Sequence, residues 1–63
     1  MIFVAQLAKV VRDPSGTVHM PHTQVTVISE YRELGTHRTL YKVCYGDTHS
    51  IGVVLPQDVE ALS

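Results

Sequence analysis

Residues 38–56, RTLYKVCYGDTHSIGVVLP, decide how the rest of the chain is read. Residues 38–45 are rich in β-branched and aromatic side chains and alternate with a period of two, as in a strand with one buried face. The alternation sets Tyr41, Val43 and Tyr45 on one face and Arg38, Leu40, Lys42 and Cys44 on the other. YGDTHS follows, where Gly46 and Asp47 allow the positive φ of a tight turn. In SIGVVL the facing set is Ile51, Val53 and Leu55. A hairpin turning at residues 46–49 is therefore expected to bring two apolar sets onto one sheet surface.

Toward the N-terminus, QVTVISEY (24–31) has the same strand character. RDPSG (12–16) puts Asp13, Pro14 and Gly16 at the first, second and fourth positions of a type I turn, with the Asp side chain capping it and Pro pre-setting φ. SEYRELG (29–35) reads either as one helical turn closed by Gly35 or as a loop between strands. Phe3, Leu7, Val10 and Val11 fit a helical spacing, but the segment has no N-cap, is β-branched at both ends and runs into a turn, which favours a strand. At the other end, Pro56 opens a helical or 3₁₀ turn, with Leu55, Val59 and Leu62 at helical spacing. The expectation is a single domain over residues 1–63, all-β, with four or five antiparallel strands. A long irregular connection runs between residues 12 and 24, and a short 3₁₀ or helical turn lies near the C-terminus.

That order resembles the SH3-like small β-barrel superfamily. The residues carrying the resemblance are YKVCYGDTHSIGVVLPQDVEAL (41–62), where a tight hairpin leads to Gly52, the apolar Val53 and Val54, Pro56 and a final Val59. It implies a small barrel in which the long first loop lies near the loop after the second strand. It does not extend to proline-rich peptide recognition: VVRDPSGTVH stands where peptide-binding SH3 domains have an aromatic-rich motif, and the chain has no Trp. Ribosomal-type and Tudor-type barrels share the architecture with other ligands, so the fold alone does not choose a function.

A chain of 63 residues builds only a small core, so stabilisation from a disulfide, a metal or oligomerisation is expected. Cys44 is the single cysteine, which excludes an intrachain disulfide and fits a reducing compartment. In MIFVAQLAKVV the lysine follows the apolar residues and no small-residue cleavage site comes after, so no signal peptide is read, and the stretch is too short to span a bilayer. A cytoplasmic location without membrane attachment is the expectation. The net charge of −1, without a run of like charges, leaves no electrostatic footprint for a polyanion. A protein partner is favoured over nucleic acid.

The most chemical-looking stretch is VHMPHTQV (18–25), with His19 and His22 three apart around Pro21. Zinc needs three or four convergent ligands, usually from two close pairs, and here there is one pair. Residues three apart point to opposite faces of a strand, and the proline spoils a helix. His37, His49 and Cys44 stand at no recognised spacing. The histidines read as solvated or edge-strand residues rather than metal ligands, with a pH-sensitive contact as a third reading. Cys44 reads as a half-buried strand residue rather than a nucleophile, and the carboxylate pairs Glu30/Glu33 and Asp58/Glu60 as solvated charges. No cofactor and no enzymatic activity are expected.

EYRELGTHR (30–38) concentrates Tyr31, Arg32, Leu34, His37 and Arg38, and Tyr and Arg are enriched among interface anchors. With the long first loop beside it, Arg12, His19 and His22 are expected to join Tyr31, Arg32, His37 and Arg38 in a partner-binding surface. The sequence thus predicts a non-enzymatic protein-binding module, a homodimer or higher oligomer. Accessory or inhibitor proteins of phages and mobile elements have this size and character. The alternative is a nucleic-acid-binding barrel using Arg12, Arg32, Arg38 and Lys42.

Overall fold

The computed structural model of the chain describes residues 2–62. Its strands are β1 (Phe3–Leu7), β2 (Val11–Arg12), β3 (Val18–His19), β4 (Gln24–Arg32), β5 (Thr39–Tyr45), β6 (Ile51–Val54) and β7 (Val59–Ala61), with a 3₁₀ turn at Pro56–Asp58. Five form one antiparallel sheet in the order β6-β5-β4-β1-β7, and β2 and β3 make a separate two-stranded ribbon. The expected all-β class, the antiparallel strands and the 3₁₀ turn near the C-terminus are all present. Residues 3–7 are strand, not helix, and β4 continues to Arg32, leaving residues 33–38 as a loop between strands.

β4 holds the sheet together. Its first half pairs with β1 on one side and β5 on the other. A register shift between Val27 and Ser29 marks where the β1 pairing ends, and such a bulge bends and twists the strand that carries it. Ala5 and Leu7, Val25 and Val27, Val43 and Tyr45, and Val54 meet on the inner face to form the core, with Val11, Tyr41 and Val59 packed against it. The 3₁₀ turn is capped by the Asp58 carboxylate, which accepts from the Leu55 N–H at 3.1 Å and pairs with Lys9 at 2.9 Å. Among the described residues, no helix is long and apolar enough to cross a membrane.

The β5–β6 hairpin turns where expected, but the inward set of β6 is corrected. Val43 lies opposite Gly52 and Tyr41 opposite Val54, so Gly52 and Val54 point inward while Ile51 and Val53, about half exposed, point out. The cause is Tyr45. Its ring occupies the space over Gly52, where a Cβ would lie 2.7 Å from Cε2 and 2.8 Å from the hydroxyl oxygen. The turn chemistry differs from expectation too, because the left-handed residue is His49 (φ 61), not Gly46 or Asp47. Gly46 is required for another reason: a Cβ there would sit 2.7 Å from the Gln24 carbonyl oxygen, which accepts the Gly46 N–H.

Candidate functional site

RDPSG forms the turn its residues dictate. The Gly16 N–H donates to the Asp13 carbonyl at 2.9 Å, and the N–H groups of Ser15 and Thr17 each donate to Asp13 Oδ1 at 3.0 Å. Closed this way, the ribbon pairs Arg12 with Val18 and Val11 with His19. Val11 packs on the core, and so its cross-strand neighbour His19 is carried inward and fully buried.

There His19 meets two carboxylates. Nε2 lies 2.8 Å from Asp13 Oδ2, within its own ribbon, and Nδ1 lies 2.9 Å from both oxygens of Asp47, in the β5–β6 turn. A neutral imidazole has one N–H, so a ring facing carboxylates with both nitrogens is held as the imidazolium. Burial alone would lower its pKa, but the hydrogen bonds to Asp13 and Asp47, with their charges, raise it above the ordinary 6.5. In return, Asp13 is held well below the usual carboxylate range, chiefly by the Ser15 hydroxyl and then by His19, and Asp47 is lowered chiefly by the hydrogen bond from His19. Ser50 also donates to Asp13 Oδ2 at 3.2 Å, a second tie between ribbon and turn.

The arrangement is a clamp between the ribbon and the β5–β6 turn. Both ring nitrogens are occupied and the ring is sealed from solvent, so His19 has no free lone pair for a substrate proton. Its task is mechanical: a two-stranded ribbon alone is marginal, and here the charged pairs bind it to the main sheet. The expectation of a solvated His19 is corrected, and the ring offers no surface to a partner.

The other residues singled out from the sequence fall into separate places. His22 is exposed, left-handed (φ 72) and 4.0 Å from Glu60, in the connection that enters β4, whereas Arg32 is the last residue of β4. The two therefore stand at opposite ends of that strand, and Arg12 is exposed on the ribbon. Tyr31, Arg32, His37 and Arg38 all lie in the β4–β5 hairpin, the first two at the end of β4 and the other two in the loop that follows. Lys42, the remaining cation of the nucleic-acid alternative, is on β5 opposite Ser29 and Val53. No group of three or more His, Cys, Asp or Glu suited to a metal is found among the described residues.

The β4–β5 hairpin is internally braced. Glu33 Oε1 accepts from the Thr36 hydroxyl at 2.6 Å and from Arg38 Nη2 at 3.0 Å, and these bonds, Thr36 first, lower the Glu33 pKa. The Glu33 N–H donates to the Arg38 carbonyl at 2.7 Å and the His37 N–H to the Glu33 carbonyl at 3.0 Å. Within this frame Leu34 is 95% exposed, with Tyr31 about half exposed on the adjoining strand. Comparison with protein-family models, curated proteins and solved structures gives no match to the chain.

Proposed function

We propose that the chain is a non-enzymatic protein-interaction module that self-associates and meets a protein partner through the β4–β5 hairpin. The observation that carries this reading is Leu34, an almost fully exposed leucine at the head of a hairpin held in one shape by the Glu33, Thr36 and Arg38 bonds. An ordered hairpin presents its apolar residue without a large ordering cost on binding, which is how a small surface gains affinity. Tyr31 and Arg32 flank it and supply the side-chain types that anchor interfaces. The reading suits a small accessory or inhibitor protein of the cytoplasm, of the kind phages and mobile elements encode, acting by occupying its partner. The SH3-like resemblance is compatible with it, since such barrels display their loops on a fixed scaffold.

The test is a paired affinity capture from native lysate, with and without nuclease treatment, using the wild-type chain and a Leu34→Asp variant of unchanged circular dichroism. A protein retained by the wild type and lost by the variant is expected. The same proteins on both baits, or only nucleic acid released by added salt, would sink the reading.

A further inference from the structure

The sheet ends in two unequal edges. β7, at one end, carries Glu60 in the middle of its three residues, where Gln6 Nε2 donates to it at 2.8 Å. β6, at the other, is Ile51-Gly52-Val53-Val54, without a charge or a proline. Natural edges are usually blunted by such residues, so β6 is the unguarded one.

Its backbone is also set for pairing. The Tyr45 N–H donates to the Ser50 carbonyl at 2.8 Å, and the ladder then runs through Cys44–Ile51, Val43–Gly52 and Lys42–Val53. In an antiparallel pair the hydrogen-bonded positions alternate, so Val43–Gly52 is the next bonded pair and Ile51 and Val53 turn their N–H and C=O groups to the open side. Their side chains, 47% and 48% exposed, lie on the outer face of the sheet.

We propose that this edge pairs antiparallel with β6 of a second copy about a two-fold axis at Gly52. The inference rests on the self-association proposed above and names its surface. In that register Ile51 of each copy faces Val53 of the other, and both are bonded pairs that exchange two N–H···O bonds each. The β-branched side chains then form one apolar cluster across the joint. A second copy suits this edge because the two-fold register pairs each open-side group with its own counterpart and sets the exposed apolar Ile51 and Val53 against each other. No charge opposes it. The two Lys42 residues would be separated by three strand spacings, about 14 Å, beyond the screening length of about 8–10 Å in ordinary salt. Pro56 ends the strand's pairing capacity, and Glu60 would face its own counterpart if two β7 edges met in the same way, so the assembly closes at two copies.

Light scattering over a dilution series, combined with amide hydrogen exchange at high and low concentration, tests the pairing. The apparent mass is expected to double with concentration while the Ile51 and Val53 amides slow at least tenfold and the Gly52 amide, already bonded to β5, does not change. Val53→Lys is expected to weaken the dimer at least tenfold. Val53→Pro, which removes an open-side donor and no bond to β5, is expected to do the same, so the prediction survives if one variant fails to fold. A monomer at every concentration overturns self-association and the pairing together. A dimer whose Ile51 and Val53 amides exchange as fast as in the monomer overturns the pairing alone.

Discussion

The imidazole of His19 lies flat against the ring of Tyr45, with centroids 3.9 Å apart and planes within 7°. A buried cation over an aromatic face is worth about 2 kcal/mol when desolvated. Tyr45 therefore joins the clamp to the core: one face of its ring carries His19 and the ribbon, while its edge fills the space above Gly52. Burial first, and then the charges of Asp13, Asp58 and Asp47, raise the Tyr45 phenol pKa, so it stays protonated beside them.

Removing the imidazolium should free the ribbon and leave the sheet. In His19→Ala the Asp13 and Asp47 carboxylates lose the cation between them. Hydrogen exchange at the Asp13, Gly16 and Thr17 amides is expected to accelerate at least about tenfold, while the Val27 and Val43 amides keep most of their protection. Unchanged exchange across residues 13–17 would show that the clamp does not hold the ribbon.

The same contacts set the pH range of greatest stability. His19 has a pKa raised above 6.5 in the fold, so its contribution is complete below 6.5 and is lost as pH rises through the folded value. Asp13 and Asp47 have pKa values lowered from 3.8, so theirs is present above 3.8 and is lost as pH falls through the folded values. The window of full contribution lies between those ordinary values, and urea midpoints are expected to be higher at pH 5.5 than at pH 8.5. His19→Gln should flatten the decline on the alkaline side. A wild-type midpoint that holds or rises to pH 8.5 would refute the imidazolium assignment.

Tyr45 and Gly52 make opposite predictions from one contact. Among the described residues, the buried Tyr45 hydroxyl has no hydrogen-bond partner. Tyr45→Phe removes an unsatisfied polar atom and keeps the ring, so a gain of about 1 kcal/mol is expected. Gly52→Ala puts a methyl group against that ring and should lose about 1–3 kcal/mol. Equilibrium denaturation of both variants checks the pair. A Gly52→Ala protein as stable as the wild type would mean that Tyr45 does not fill that space.

These contacts mark where sequence reading reaches and where it stops. The turn at residues 46–49 was legible because YGDTHS separates two β-rich runs. The facing of β6 was not: IGVVL is apolar on both faces, and the residue that decides it is a glycine with no side chain to score. His19 was partly legible. RDPSG identifies the turn, and carrying the pairing outward from it puts His19 opposite Val11, hence on the inner side. Asp47, 28 residues away, has no local signature linking it to His19. The apposition of the first loop with the β4–β5 loop came from resemblance, but the side-chain bonds of the ribbon run to the β5–β6 turn instead. At the β4–β5 hairpin, EYRELGTHR was legible as a cluster because its residues are close in sequence and Glu33, Thr36 and Arg38 bond within one hairpin.

Histidine abundance finds a backbone explanation that yields the last prediction. One of the four histidines is the clamp, and the other three, His22, His37 and His49, all adopt left-handed φ values of 72, 59 and 61. Histidine is enriched among the non-glycine residues that tolerate this region, although a left-handed L-residue still costs roughly 1–2 kcal/mol. Glycine removes that cost and adds about 0.5–1 kcal/mol of chain entropy to be lost on folding. His49→Gly should therefore stabilise the fold by about 0.5–1 kcal/mol, and His49→Val, β-branched at the same φ, should destabilise it by more than 1 kcal/mol. Thermal and urea denaturation of the two variants read this directly. If glycine at residue 49 lowers stability as valine does, the imidazole makes a contact of its own there and the position is not set by the backbone.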